Sequence, residues 1–137
     1  MKKLLISLTC FLIILSCFCT TVFAADGGIS TYANNTSRTI TDFSISNNVA
    51  NVLVGYEGIK GVTTNAVITI KIQKKFLLFF WQDISGAYWT DYTTGESYYN
   101  THSIQTTIGT HRVLVEYKIY GTGGEADVIT EEIEVKN

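Results

Sequence analysis

The chain has 137 residues, 12 acidic and 10 basic side chains, and a formal net charge of −2 at neutral pH. A balance on the acidic side offers no basic face, which argues against a nucleic-acid partner and gives no electrostatic pull toward anionic lipid. All three cysteines (Cys10, Cys17, Cys19) fall in the first 24 residues.

Those 24 residues read as a secretory signal peptide. Lys2 and Lys3 form a positive start, an apolar run extends from Leu4 to about Cys19, and Val22-Phe23-Ala24 offers a cleavage site before Ala25. The run is short for a membrane span and lacks stop-transfer charges. Ile14-Leu15-Ser16-Cys17 loosely resembles a lipidation box, but Cys17 sits inside the apolar stretch and a better cleavage site follows. A lipoprotein is therefore the lesser reading, and the expected location is extracellular. Losing the leader, with its two lysines, leaves 113 residues, eight basic against twelve acidic side chains and a charge of −4. Such a chain has no disulfide and must be held by its apolar core.

Residues 25–37 are polar, Asn- and Gly-rich and unperiodic, and are expected to form a flexible segment ahead of a domain spanning 38–137. Asn34 and Asn35 each open an Asn-x-Ser/Thr sequence, which in a bacterial chain reads as turn chemistry and not as glycan attachment. Strands are expected over 38–45 and 49–57, the second with Val52, Val54 and Tyr56 on one face. The clearest strand is 66–73, where Ile68, Ile70 and Ile72 alternate with Val67, Thr69 and Lys71. A strand near 79–84 follows, ending at Gly86, and then short strands within 98–107. In 111–120, Val113, Val115, Tyr117 and Ile119 alternate with polar residues. The last strand, 128–136, points Ile129, Ile133 and Val135 inward; Glu131 shares that parity and suggests a bulge or an exposed end. About seven strands with no helical period imply a single antiparallel β-sandwich of immunoglobulin or fibronectin-III type. With no proline, edge protection falls to charges such as Lys71, Lys118 and the acidic last strand.

Ile70-Lys71-Ile72-Gln73-Lys74 before Trp81, Thr101-His102-Ser103, Gly109-Thr110-His111-Arg112-Val113 and Tyr120-Gly121-Thr122-Gly123-Gly124 stand in an order similar to one known group. It resembles small secreted β-sandwich proteins of Gram-positive bacteria grouped as a domain of unknown function. The resemblance implies export and no established activity. His111 stands where a tyrosine corner commonly has its tyrosine, so its imidazole would have to make the corner's hydrogen bond.

Three candidate sites are visible. The run Phe76–Trp81, FLLFFW, sits at a connection that is usually polar. Short apolar runs are more often buried, so the expectation is that half of it faces the core, with Trp81 a central core aromatic. The alternative is an exposed tip built on Phe79, Phe80 and Trp81, flanked by Lys74 and Lys75, that enters a membrane interface or a partner groove. Tyr88, Trp89 and Tyr92, with Tyr98 and Tyr99, would make a sugar-stacking platform if coplanar and exposed, and ordinary half-buried aromatics otherwise. Glu125, Asp127, Glu131, Glu132 and Glu134 lack calcium-loop spacing and read as a solvated edge, so no metal or cofactor is expected.

Catalysis has no visible basis. His102 and His111 look unaccompanied, adjacent Ser103 falls on the opposite face from His102, and no nucleophile elbow, zinc motif or phosphate loop is present. The expected function is a non-catalytic extracellular binding module for a protein, glycan or membrane surface. A membrane-active or toxin-like protein using 76–81, and a carbohydrate-binding module using 88–99, are the alternatives. Exposed Phe79 and Phe80 would favour the first; exposed coplanar Trp89 and Tyr92 would favour the second.

Overall fold

A computed structural model describes residues 33–137; the expected signal peptide and most of the segment after it lie outside the described residues. Seven strands run in chain order: β1 (Thr36–Ser46), β2 (Val49–Gly58), β3 (Thr63–Phe76), β4 (Phe80–Thr94), β5 (Ser97–Gln105), β6 (Thr110–Gly121) and β7 (Asp127–Lys136). They form two antiparallel sheets, ordered β1-β2-β5 and β4-β3-β6-β7. The expected all-β sandwich is therefore present.

The alternation read in the sequence fills the space between the sheets. Val52, Val54 and Tyr56 of β2 face Ile68, Ile70 and Ile72 of β3 and Val113, Val115, Tyr117 and Ile119 of β6, all fully buried. Burying each such side chain stabilises the fold by roughly 1.5–3 kcal/mol. These central strands carry the core, because each is flanked on both edges and covered on its inner face. Buried phenols find partners, as they must. The Tyr117 hydroxyl donates to the Ile40 carbonyl at 2.7 Å, and burial pushes its pKa up. The Tyr56 hydroxyl lies 2.8 Å from Thr93 Oγ1 and 2.9 Å from the Gly95 carbonyl.

Four expectations change. The domain begins before residue 38: β1 starts at Thr36, and Asn35 is fully buried. Asp127 accepts the Asn34 and Asn35 backbone N–H groups at 2.9 and 2.8 Å, while Asn35 donates to the Glu125 carbonyl at 2.7 Å and accepts from Gly123 N–H at 3.1 Å. The β6–β7 turn thus clasps the start of β1. A Cβ on Gly123 would stand 2.2 Å from the Asn34 carbonyl, so glycine is required there.

Gly86 does not end a strand. β4 runs through it, and the ladder to β3 steps from Lys71↔Tyr88 to Gln73↔Asp83, so Ile84–Ala87 bulge opposite Ile72. Gly86 supplies the positive φ of 80° that this detour needs. Glu131 needs no bulge, since the β6–β7 register is continuous. It sits at the open side of the sandwich and accepts a hydrogen bond from Thr39 Oγ1. The fourth change concerns the apolar run.

Candidate functional site

Strand directions place the β1–β2 turn, the β3–β4 hairpin, the β5–β6 loop and the C-terminus at one end of the sandwich. Asn137 N–H donates to the Gly109 carbonyl, and Thr106 N–H to the Asn48 carbonyl, drawing three of these together. The β3–β4 hairpin alone overshoots them. The last β3–β6 rung is Lys74↔His111; beyond it Lys75↔Trp81 and Phe76↔Phe80 pair only with each other. At about 3.3 Å per strand residue, the apex stands about 10 Å past the sheet.

That apex is apolar and uncovered. Phe76, Leu77, Leu78, Phe79 and Phe80 are 57, 70, 77, 81 and 64% exposed. The expectation of burial is overturned: β3 and β4 are longer than β6, so nothing remains at this height for the run to pack against. Trp81 is not a core aromatic. It lies half-buried on the outer face of the four-stranded sheet, with Arg112 Cζ 4.4 Å and Lys75 Nζ 5.2 Å from its ring centroid. Arg112 also donates to Gln73 Oε1 at 2.7 Å and to Glu132 at 2.9 Å, Gln73 donates to Asp83 at 2.6 Å, and Lys75 pairs with Glu134 at 3.6 Å. The base of the hairpin is braced while its apex is free.

Backbone geometry marks the apex a second time. The neighbouring β1–β2 turn places Asn47 and Asn48 at φ 51° and 60°, as a two-residue hairpin turn demands. The β3–β4 turn puts Leu77 at φ 56°. Left-handed backbone costs an L-residue roughly 1–2 kcal/mol, and asparagine or glycine usually takes such a position. Here the chain bears that cost to keep an apolar side chain at the tip.

The aromatic group divides differently from the platform reading. Tyr88 and Tyr92 are exposed on the outer face of β4, whereas Trp89 points inward and stacks on His102 with centroids 5.0 Å apart. Trp89 and Tyr92 occupy opposite faces and are not coplanar partners. Tyr98 faces inward on β5; Tyr99 faces outward, covers Gly55 and donates to Glu57 at 2.7 Å.

His102 is not unaccompanied. Between the edges of β4 and β5, Asp91 Oδ2 accepts from His102 Nε2 at 2.9 Å and from Tyr98 and Asn100 at 3.1 Å. Partial burial pushes the Asp91 carboxyl up, but the donors His102 and Asn100 outweigh it and hold the carboxyl below its usual range. Adjacency in sequence hid this pair, since Asp91 and His102 meet only when the two sheets close. Ser103 lies on the other face and donates to Asn51 Oδ1 at 2.7 Å. His111 is buried, with Nδ1 donating to the Gly109 carbonyl at 3.1 Å and Nε2 accepting from Thr106 Oγ1 at 2.6 Å. It makes the short backbone bond asked of a corner residue. The five acids are dispersed. Asp127 and Glu131 are bonded as above, Glu132 and Glu134 pair with cations, and no metal-holding cluster occurs among the described residues.

No family model and no curated protein matches the chain. Among solved structures it is similar to β-glucosidase 3B from Thermotoga neapolitana in complex with α-D-glucose, at 16% identity over 77% of this chain and 17% of that one, with a TM-score of 0.43. It is also similar to the β-glucosidase from Listeria innocua in complex with gluconolactone, at 18% identity over 73% of this chain and 16% of that one, with a TM-score of 0.39. The chain spans about a sixth of those enzymes' length, and no activity is carried over from them.

Proposed function

We propose that the protein is an exported, non-catalytic binding module that docks on a lipid bilayer through the β3–β4 tip. The observation that carries this reading is the exposure of five consecutive large apolar residues on a hairpin projecting beyond its sheet. Exposed contiguous apolar surface in a folded domain marks an interaction site. A convex, strained tip matches a fluid apolar medium better than a preformed protein groove, because a bilayer closes around any shape. The projection of about 10 Å suits insertion to the headgroup–acyl boundary.

The tip does not span. A transmembrane strand needs roughly 9–11 residues, and only Phe76–Phe80 is continuously apolar and free. Docking is therefore expected without leakage of vesicle contents. Charge contributes little, because Lys75 is already paired with Glu134 and the exported chain is acidic. Binding is expected on neutral phosphatidylcholine vesicles and is expected to persist in high salt.

Co-sedimentation of the exported protein with such vesicles tests the reading. Phe79→Asp is expected to abolish binding while leaving the melting temperature unchanged, since the side chain touches little of the fold. Equal pelleting of wild type and Phe79→Asp, or no pelleting of either, would refute it.

A further inference from the structure

The two sheets leave four strand edges: β1 and β5 on one, β4 and β7 on the other. Three are guarded against pairing. β1 carries Arg38 and Asp42 and a register shift near its start, β4 carries Asp83, Asp91 and its long bulge, and β7 carries Glu131, Glu132, Glu134 and Lys136. β5, with sequence SYYNTHSIQ, has no lysine, arginine, aspartate, glutamate or proline and runs in unbroken register with β2. A straight, uncharged edge of nine residues is a template for another strand.

Hydrogen bonds show which groups that edge offers. The Glu96 carbonyl and the Thr106 N–H, just outside the two ends of β5, bond toward β2, so even-numbered residues face β2. The odd-numbered Ser97, Tyr99, Thr101, Ser103 and Gln105 turn their N–H and C=O outward. Thr101 N–H accordingly bonds not to β2 but to the Asn100 side chain, at 2.9 Å.

We propose that β5 pairs antiparallel with β5 of a second copy about a two-fold axis at Thr101, joining two three-stranded sheets into one. A second copy fits because the strand complements itself. Thr101 meets the partner's Thr101, Tyr99 meets the partner's Ser103, and Tyr98 meets the partner's Ile104. Asn100 meets the partner's His102, and its carboxamide gives up the Thr101 N–H to the partner's Thr101 carbonyl. No like charges meet, whereas β7 paired with itself would crowd its glutamates. Antiparallel pairing points the two apolar tips in opposite directions. The second consequence, that one dimer links two bilayers, rests on the docking reading above; the pairing itself does not.

Sedimentation of the exported protein without lipid, over a concentration series, is the test. The wild type is expected to double in mass as concentration rises. Thr101→Lys and Thr101→Glu, each on the exposed outer face, are expected to remain monomeric alone and to regain the doubled mass when mixed in equal amounts. A wild type that stays monomeric up to millimolar concentration overturns the pairing, as does doubling that survives in both single variants. Doubling abolished by Phe79→Asp but not by Thr101→Lys would move the contact to the tips and also overturn it. With phosphatidylcholine vesicles, Thr101→Lys is expected to bind yet lose clustering. If the docking reading fails, vesicles stay unbound while the mass still doubles.

Discussion

Arg112 lays its guanidinium carbon 4.4 Å from the ring centroid of Trp81, while donating to Gln73 and Glu132 on either side. This contact joins β6 to β4 across β3 at the height where the hairpin leaves the sheet. Cation–π contacts at exposed sites stabilise by roughly 0.5–1 kcal/mol. Arg112→Ala is expected to lower stability in urea by about 1 kcal/mol and to raise proteolytic cleavage at the hairpin base. A variant as stable and as protected as wild type would show that the brace is idle.

Leu77 is the place where stability and docking oppose each other. Its positive φ favours asparagine or glycine. Leu77→Asn is expected to stabilise the fold by about 1 kcal/mol, read as a raised urea midpoint, while weakening vesicle binding. An unchanged or lowered midpoint would remove the strain argument.

The clasp between Asp127 and the Asn34 and Asn35 amides holds the first strand to the β6–β7 turn. Asp127→Ala leaves a buried N–H at Asn35 without an acceptor, at a cost of about 1–3 kcal/mol. Hydrogen exchange at Asn35 should accelerate far more than at Val115. Uniform protection in the variant would contradict the clasp.

His111 gives the protein an acid sensitivity of known sign. Burial lowers its pKa, the Gly109 carbonyl opposes that shift, and the charge of Lys74 adds to it. The folded state therefore binds the proton less readily than the unfolded chain does. This contribution to stability is complete above about pH 6.5 and is lost progressively as pH falls toward the lower folded value. Melting temperature is expected to drop between pH 7 and 5, and His111→Gln, less stable at pH 7, is expected to flatten that slope. Equal slopes would place the sensitivity elsewhere.

Much of the sandwich was legible because alternation reports burial directly. Ile68-Ile70-Ile72 and Val113–Ile119 faced the core as their parity required. What parity cannot report is relative strand length. FLLFFW reads as buried until it is known that β6 ends its pairing at Lys74, two residue pairs short of the hairpin's turn. Gly86 was misleading in the same way, since a glycine that permits a bulge and one that stops a strand look alike in sequence. Asp91 and His102 come from strands in different sheets, and Asn35 with Asp127 from opposite ends of the domain. No local pattern announces such pairs. The tip itself was visible as a candidate; the decision between buried and exposed belonged to tertiary structure.

Depth measurement by a spin label tests the docking account most directly. The described residues contain no cysteine, so a single cysteine introduced at Leu78, and separately at Thr122 at the opposite end, can carry a nitroxide on the exported protein. With phosphatidylcholine vesicles, the label at position 78 is expected to gain contact with oxygen dissolved in the acyl region and lose contact with a water-soluble relaxant, while the label at 122 stays fully aqueous. A label at position 78 that remains as water-accessible with vesicles as without them would contradict the account.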